Sequence, residues 1–279
     1  MRPDGTGIRR LTPPAFYLPA APSWSPNGQL IAFTGQCDTE ERTDLCVMNS
    51  DGADRRTVAV GPVVTYQAAT WSPDGTRLAF TRPAIENGKA VEGHFSTHVI
   101  AVDGTGETTL VDHGEDPAWS PHGDRIAFVS DEGGSNRIYL VNPDGADVVR
   151  ITDGPDDLSP AWSPDGGRIA FASGRAGKAE FLPDSARRNP DLVPPTNVRP
   201  ARPANDIYVM QADGTNATRL TADPSDNVDP TWSPNGDRIA FSSVRDGDYE
   251  LYVMNADGTG VSRLTHLERG PDTEPSWTR

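Results

Sequence analysis

The sequence predicts an all-β fold, a ring of four-stranded blades, and three observations carry that prediction. A tryptophan-centred segment recurs at intervals of about 45 residues, the period of a propeller blade. Each copy is followed by a second apolar segment that ends in an Asp-Gly or similar turn. Helical periodicity is absent throughout. Four short strands per unit of this length identify a β-propeller.

Strand a of each unit holds the tryptophan. The copies read PSWSPNGQLIAF from Pro22, ATWSPDGTRLAF from Ala69, PAWSPHGDRIAF from Pro117, PAWSPDGGRIAF from Pro160 and PTWSPNGDRIAF from Pro230. A last fragment, PSWTR, ends the sequence. The S-P-x-G turn leads into strand b, which carries a phenylalanine: Phe33, Phe80, Phe128, Phe171 and Phe241. Strand c follows, with tyrosine at Tyr139, Tyr208 and Tyr252, while Cys46 and His98 hold the same position in their units. An Asp-Gly turn then leads to strand d, because such residues tolerate the positive φ of a tight hairpin. Strands b and c are apolar on both faces, as a blade lying between two others requires. The aromatic residues therefore read as packing between blades.

Composition narrows the function. A net charge of −15 argues against nucleic acid and against anionic membranes, which would repel an acidic surface. It permits cationic partners or metal ions. No apolar run approaches the ~18 residues needed to span a bilayer, so membrane insertion is not expected. MRPDGTGIRRLT lacks the apolar centre of a signal peptide. Cys37 and Cys46 either form one local bridge or both stay free, and no CxxC suggests zinc or redox chemistry. There is no G-x-S-x-G elbow, H-E-x-x-H, phosphate-binding loop or dinucleotide fingerprint. The reading leans to binding, with no catalytic residue and no cofactor identified.

The paired segments W-S-P-D-G-x-x-I-A-F and I-Y-V-M-x-x-D-G resemble the TolB-type WD-like repeat, over all of the chain but one insertion. That resemblance implies a TolB-like β-propeller, typically six-bladed, that binds a protein or peptide and is periplasmic or extracellular. Propellers attached to prolyl oligopeptidase-like peptidases are similar, so an accessory domain of a larger protein is one alternative. TolB-like oligogalacturonate lyases hold a channel metal, so a carbohydrate-active lyase or hydrolase is another.

Residues 1–279 are expected to form one propeller domain of five complete blades. Residues 1–12 align with Met254 to Thr265, so the sequence begins inside a strand c and stops just after a strand a. A sixth, incomplete blade would then draw on both termini, as a fragment or an open ring.

Two sets of residues could carry function. Immediately before strand a stand Ala21, Ala68, Asp116, Ser159, Asp229 and Glu274, and two residues earlier Pro19, Tyr66, Gly114, Asp157, Asn227 and Asp272. Strand a is the inner edge of a blade, so Asp116, Asp157, Asp229, Asp272 and Glu274 should gather at the mouth of the central channel. Converging carboxylates can hold a basic peptide group or a divalent cation. His113 and His266, near these acids, are weaker candidates for a metal. The second set lies in the Pro-rich insertion 174–205 of the fourth blade. There Arg175, Lys178, Arg187, Arg188, Arg199 and Arg202 outnumber Glu180, Asp184 and Asp191. Parity of the connections puts this basic segment on the acidic rim, either as a loose lid or as a disordered Pro-rich spacer that happens to be basic. A shorter excursion, Arg82 to Ser96, joins it there.

Overall fold

The computed structural model describes residues 9–12, 20–35, 37, 44–60, 69–86, 89–177, 204–266 and 273–277. Five antiparallel sheets of four strands each are present, every one in the order a-b-c-d. Blade 1 comprises β1 (Ala20–Trp24), β2 (Leu30–Gly35), β3 (Asp44–Asn49) and β4 (Arg56–Ala59). Blade 2 comprises β5 (Thr70–Trp71), β6 (Arg77–Glu86), β7 (Lys89–Ala101) and β8 (Thr108–Val111). Blade 3 follows with β9 (Glu115–Trp119), β10 (Ile126–Ser130), β11 (Arg137–Val141) and β12 (Val149–Arg150). Blade 4 holds β13 (Asp157–Trp162), β14 (Arg168–Ser173), β15 (Asp206–Gln211) and β16 (Thr218–Arg219). Blade 5 holds β17 (Asn227–Trp232), β18 (Arg238–Ser243), β19 (Glu250–Asn255) and β20 (Ser262–Arg263). No helix is found among the described residues, and so none long and apolar enough to cross a membrane.

The register explains the apolar b and c strands. Phe33 faces Cys46, Phe80 faces His98, Phe128 faces Tyr139, Phe171 faces Tyr208 and Phe241 faces Tyr252. Phe80, Phe171 and Phe241 are fully buried and join the cores between sheets. The tryptophans pack there as expected, and three of them also tie inner strand to inner strand. Trp71, Trp162 and Trp232 donate their indole Nε1–H to the carbonyls of Ser23, Ala118 and Ala161, at 3.0, 3.0 and 3.1 Å. Each acceptor immediately precedes the tryptophan of the blade before. Trp119 makes no such bond; the Arg77 guanidinium lies 5.0 Å from its ring centre.

The short turns are structural, as the sequence suggested. In the a-b turn of blade 2, Ser72 Oγ donates to Asp74 and accepts the Arg77 amide at 2.9 Å. The c-d turns let Asp103, Asp213 and Asp257 accept an amide two residues on. Their glycines have a second duty. Gly214 sits at φ +87°, and a Cβ there would lie 2.2 Å from the Ile151 carbonyl oxygen of blade 3. Each c-d turn is thus pressed onto the outer strand of the preceding blade.

Two points left open by the sequence are resolved, and one expectation is not met. The Arg82 to Ser96 excursion is a hairpin extension of β6 and β7, paired as far as Glu86 and Lys89. Cys37 and Cys46 are bridged, with Cα atoms 5.8 Å apart. The sixth blade does not form a sheet among the described residues. What is present there are two short segments in the expected places. The Glu274 amide donates to Ser242 Oγ at 3.2 Å and Ser276 Oγ accepts the Trp24 amide at 3.4 Å, so 273–277 bridges blade 5 to blade 1. The Leu11 carbonyl abuts Gly52 of blade 1, as Leu220 abuts Gly258 of blade 5. Met1–Ile8, the rest of the segment assigned to that blade, lies outside the described residues.

Candidate functional site

The positions three residues before the tryptophan, which fall inside strand a in four blades, share one backbone device. Ala21, Asp116, Ser159, Asp229 and Glu274 all have positive φ, between 50° and 57°. Non-glycine residues are uncommon in that region, and five at one repeat position form a designed feature. In four blades the pairing of strands a and b is irregular at this point, the mark of a bulge. Each of the five is followed by proline, at Pro22, Pro117, Pro160, Pro230 and Pro275. Proline has no N–H to give to the ladder, so the sequence breaks the pairing where the strand must bulge. A bulge re-aims the side chain beside it.

Successive inner strands contact one another round the ring, and the re-aimed side chains meet. Ser159 Oγ donates to Asp229 Oδ1 at 3.1 Å, across the blade 4–blade 5 boundary. Glu274 accepts the Ala21 amide. Its carboxyl is pushed up to about 8, first by removal from water and then by the negative charges of Asp229 and Asp116. Glu274 therefore feels the charges of two acids that stand at the same repeat position in other blades. Among the described residues no group of three or more His, Cys, Asp or Glu side chains could hold a metal ion.

The other expected site residues fall elsewhere. Asp157 belongs to strand β13 but does not join the acids at the axis. Its carboxylate is fully buried and bonds Ser173 Oγ at 2.6 Å and Arg175 Nη2 at 2.8 and 2.9 Å. The bulge lies between Asp157 and Trp162, so Asp157 still pairs regularly with Ser173. His113 is exposed and stands edge-on to His94, ring centres 5.7 Å apart, while His266 is exposed after blade 5. Asp272 and the insertion's Arg187, Arg188, Arg199 and Arg202 lie outside the described residues. Only the two ends of that insertion are described. One is held by Arg175, and at the other Asn205 donates through its amide and its side chain to Asp226 Oδ1 at 2.6 and 2.9 Å.

One recurring element escaped the sequence reading. Arg175 lies 5.1 Å over Phe171 and 5.0 Å over Tyr208, and Arg245 lies 5.5 Å over Phe241 and 4.6 Å over Tyr252. Both arginines stand four residues after the phenylalanine of strand b, in FASGR and FSSVR. Arg82 of blade 2 reaches the same kind of place from another position, 5.2 Å over Phe80 and ion-paired with Glu107 at 2.6 Å.

Comparison with known proteins agrees with this architecture. The chain is 27% identical over 197 residues to the Bacillus subtilis (strain 168) protein described as uncharacterized peptidase YuxL, covering 65% of this chain and 30% of that one. It is 35% identical over 105 residues to the Tol-Pal system protein TolB of Gluconobacter oxydans (strain 621H), covering 36% of this chain and 22% of that protein. The chain thus spans less than a third of the length of either relative. Among solved structures, TolB from Acinetobacter baumannii superposes with a TM-score of 0.70 at 20% identity, over 92% of this chain and 56% of that one. The TolB beta propeller domain profile matches residues 39–187 and 199–279. The chain belongs to the TolB β-propeller domain family.

Proposed function

We propose that the chain is a non-catalytic binding propeller that engages a cationic group of a protein or peptide where Asp116, Asp229 and Glu274 converge. The observation that carries this reading is the Glu274 carboxyl, held up at about 8 by burial and by its two acidic neighbours. Three carboxyls kept together against their own repulsion form a site whose cost an incoming ammonium or guanidinium removes. The left-handed backbone at each acid adds support, since strain of this kind clusters at binding sites.

The Cys37–Cys46 bridge supports an exported, periplasmic or extracellular setting, because such bonds persist in oxidising compartments. A second reading shares the same site. The peptidase relative, matched over 30% of its length, favours a propeller that serves as the accessory domain of a larger protein. In that arrangement the acidic axis would select or admit substrate for a neighbouring catalytic domain. The encoded sequence on either side of this chain separates the two readings.

Calorimetric titration with a lysine- and arginine-rich peptide tests the site. The variant Asp116→Asn/Asp229→Asn/Glu274→Gln is expected to bind about tenfold or more weakly, a loss of ~1.4 kcal/mol, without a lower melting temperature. Unchanged affinity would remove the axial acids from the function.

A further inference from the structure

Three of the four grooves between complete blades hold an arginine over the phenylalanine of strand b, and in two of them it also covers the tyrosine of strand c. Arg82 lies between blades 1 and 2, Arg175 between blades 3 and 4, and Arg245 between blades 4 and 5. The groove between blades 2 and 3 keeps the aromatic pair: Phe128 and Tyr139 stack with ring centres 5.5 Å apart and planes at 25°. It has no arginine. Glu132 stands at the position of Arg175 and Arg245, four residues after the phenylalanine.

The backbone there is the same in all three blades. The Glu132 amide bonds Ser130 Oγ at 3.2 Å, as the Arg175 amide bonds Ser173 Oγ at 3.2 Å and the Arg245 amide bonds Ser243 Oγ at 3.4 Å. Only the side chain differs, and the result is a cavity of about 350 Å³ lined by Phe128, Tyr139, Ser130, Val111, Asp112 and Glu132, among others. That volume is in the range of small-ligand sites, roughly 300–1,000 Å³. The second change is at Gly114, which replaces the Asp157 of blade 4 and the Asn227 of blade 5. A Cβ there would meet Val111 at 2.5 Å and Phe128 at 3.0 Å. The groove has thus lost its internal cation and the buried anchor that would hold one, and has gained exposed carboxylates at its mouth.

We infer that the groove between blades 2 and 3 binds an arginine side chain presented by a partner peptide, with the guanidinium over Phe128 and Tyr139 and facing Asp112 and Glu132. The chain itself shows the fit, since its own arginines fill the equivalent grooves. A guanidinium stacks on aromatic faces and forks onto carboxylates, and a lysine ammonium does the first less well and the second not at all. The inference stands apart from the axial site. It concerns a groove between two blades and uses none of Asp116, Asp229 and Glu274.

The test titrates the whole chain with three capped tripeptides, Gly-Arg-Gly, Gly-Lys-Gly and Gly-citrulline-Gly, while NMR follows the ring resonances of Tyr139 and Phe128. The arginine peptide is expected to shift both rings and to bind at least tenfold tighter than either of the others. Glu132→Arg, which supplies the missing internal arginine, should abolish that binding. Asp112→Asn/Glu132→Gln, which keeps the groove and removes its charge, should weaken it about tenfold should the first variant fail to fold. Equal binding of the lysine peptide, or no shift at Tyr139, overturns the assignment. So does binding that survives both groove variants but is lost in Asp116→Asn/Asp229→Asn/Glu274→Gln, which would assign the peptide to the axial acids instead.

Discussion

The indole Nε1–H of Trp232 donates to the carbonyl of Ala161 at 3.1 Å, joining the inner strand of blade 5 to that of blade 4. The ring is 5% exposed, and the Arg168 guanidinium lies 4.5 Å from its centre. One side chain therefore supplies apolar packing, a hydrogen bond and a cation–ring contact.

These contributions separate by substitution. Trp232→Ala is expected to destabilise the fold by about 3–5 kcal/mol, the usual cost of emptying a large aromatic site. Trp232→Phe retains part of the packing but loses the hydrogen bond and should cost clearly less. Urea unfolding of both variants checks the order. Equal losses would assign the whole effect to the hydrogen bond.

Arg175 and Arg245 stack alike but face different anions. Asp157 is 0% exposed, whereas Asp223, the partner of Arg245, is 26% exposed. Arg175→Met strands a buried charge and should cost about 3–5 kcal/mol. Arg245→Met leaves a carboxylate that water can reach, and its cost should be visibly smaller. Adding Asp157→Asn to Arg175→Met should recover most of the loss, because a neutral pair removes the stranded charge. Chemical denaturation of the three variants is the measurement.

Glu274 makes folding stability depend on pH in a direction opposite to that of most paired acids. Its carboxyl titrates at about 8 in the folded chain, against an ordinary value of 4.5. Between those values the unfolded chain has released a proton that the folded chain keeps, so stability falls as pH rises through the window. Below the window the penalty is absent, and above it the penalty is complete. Glu274→Gln should flatten this slope, matching the parent near pH 4 and exceeding it at pH 8.5. The gain is on the order of a few kcal/mol at most, reduced because Glu274 is only half-buried. Urea midpoints across pH 4–9 would show it, and parallel slopes for the two proteins would contradict it.

Gly214→Ala tests the contact between turn and neighbouring blade. The residue has φ +87° and no room for a Cβ beside Ile151. Gly106→Ala serves as the control, with φ +67° but no atom within 4 Å. The control should cost about 1 kcal/mol for its backbone alone, and Gly214→Ala distinctly more. Thermal melts decide between them.

The repeat made the scaffold readable, because a ring of packed sheets imposes the same residue types at the same intervals. Trp, Phe and Tyr recur since every blade presents two buried faces. The shared backbone position of three acids was readable. Asp116, Asp229 and Glu274 stand at one repeat position, and the proline after each marks the bulge. Asp157 misled because it is two residues away in a strand whose alternation the bulge interrupts; a buried pairing and an open rim look alike in one dimension. Arg175 and Arg245 read as ordinary loop charges. Their role depends on aromatic rings from two strands and an acid from a third segment, a meeting that no local pattern records. FxxxR in two repeats, against FxxxE in the third, was the available signal.

The indole bonds give the ring a direction. Trp71, Trp162 and Trp232 each reach back to a strand made earlier in the chain, and the amides of Asp116 and Trp119 likewise reach back to Thr81 and Thr70. These donors all find their acceptor on the blade that precedes their own, so each of these inner strands is tied to its forerunner in the chain. The Ser159 hydroxyl and the Ala21 and Trp24 amides run the other way, to Asp229, Glu274 and Ser276. The two amides latch segment 273–277 onto blade 1, a long-range tie that the blade-to-blade bonds alone do not supply.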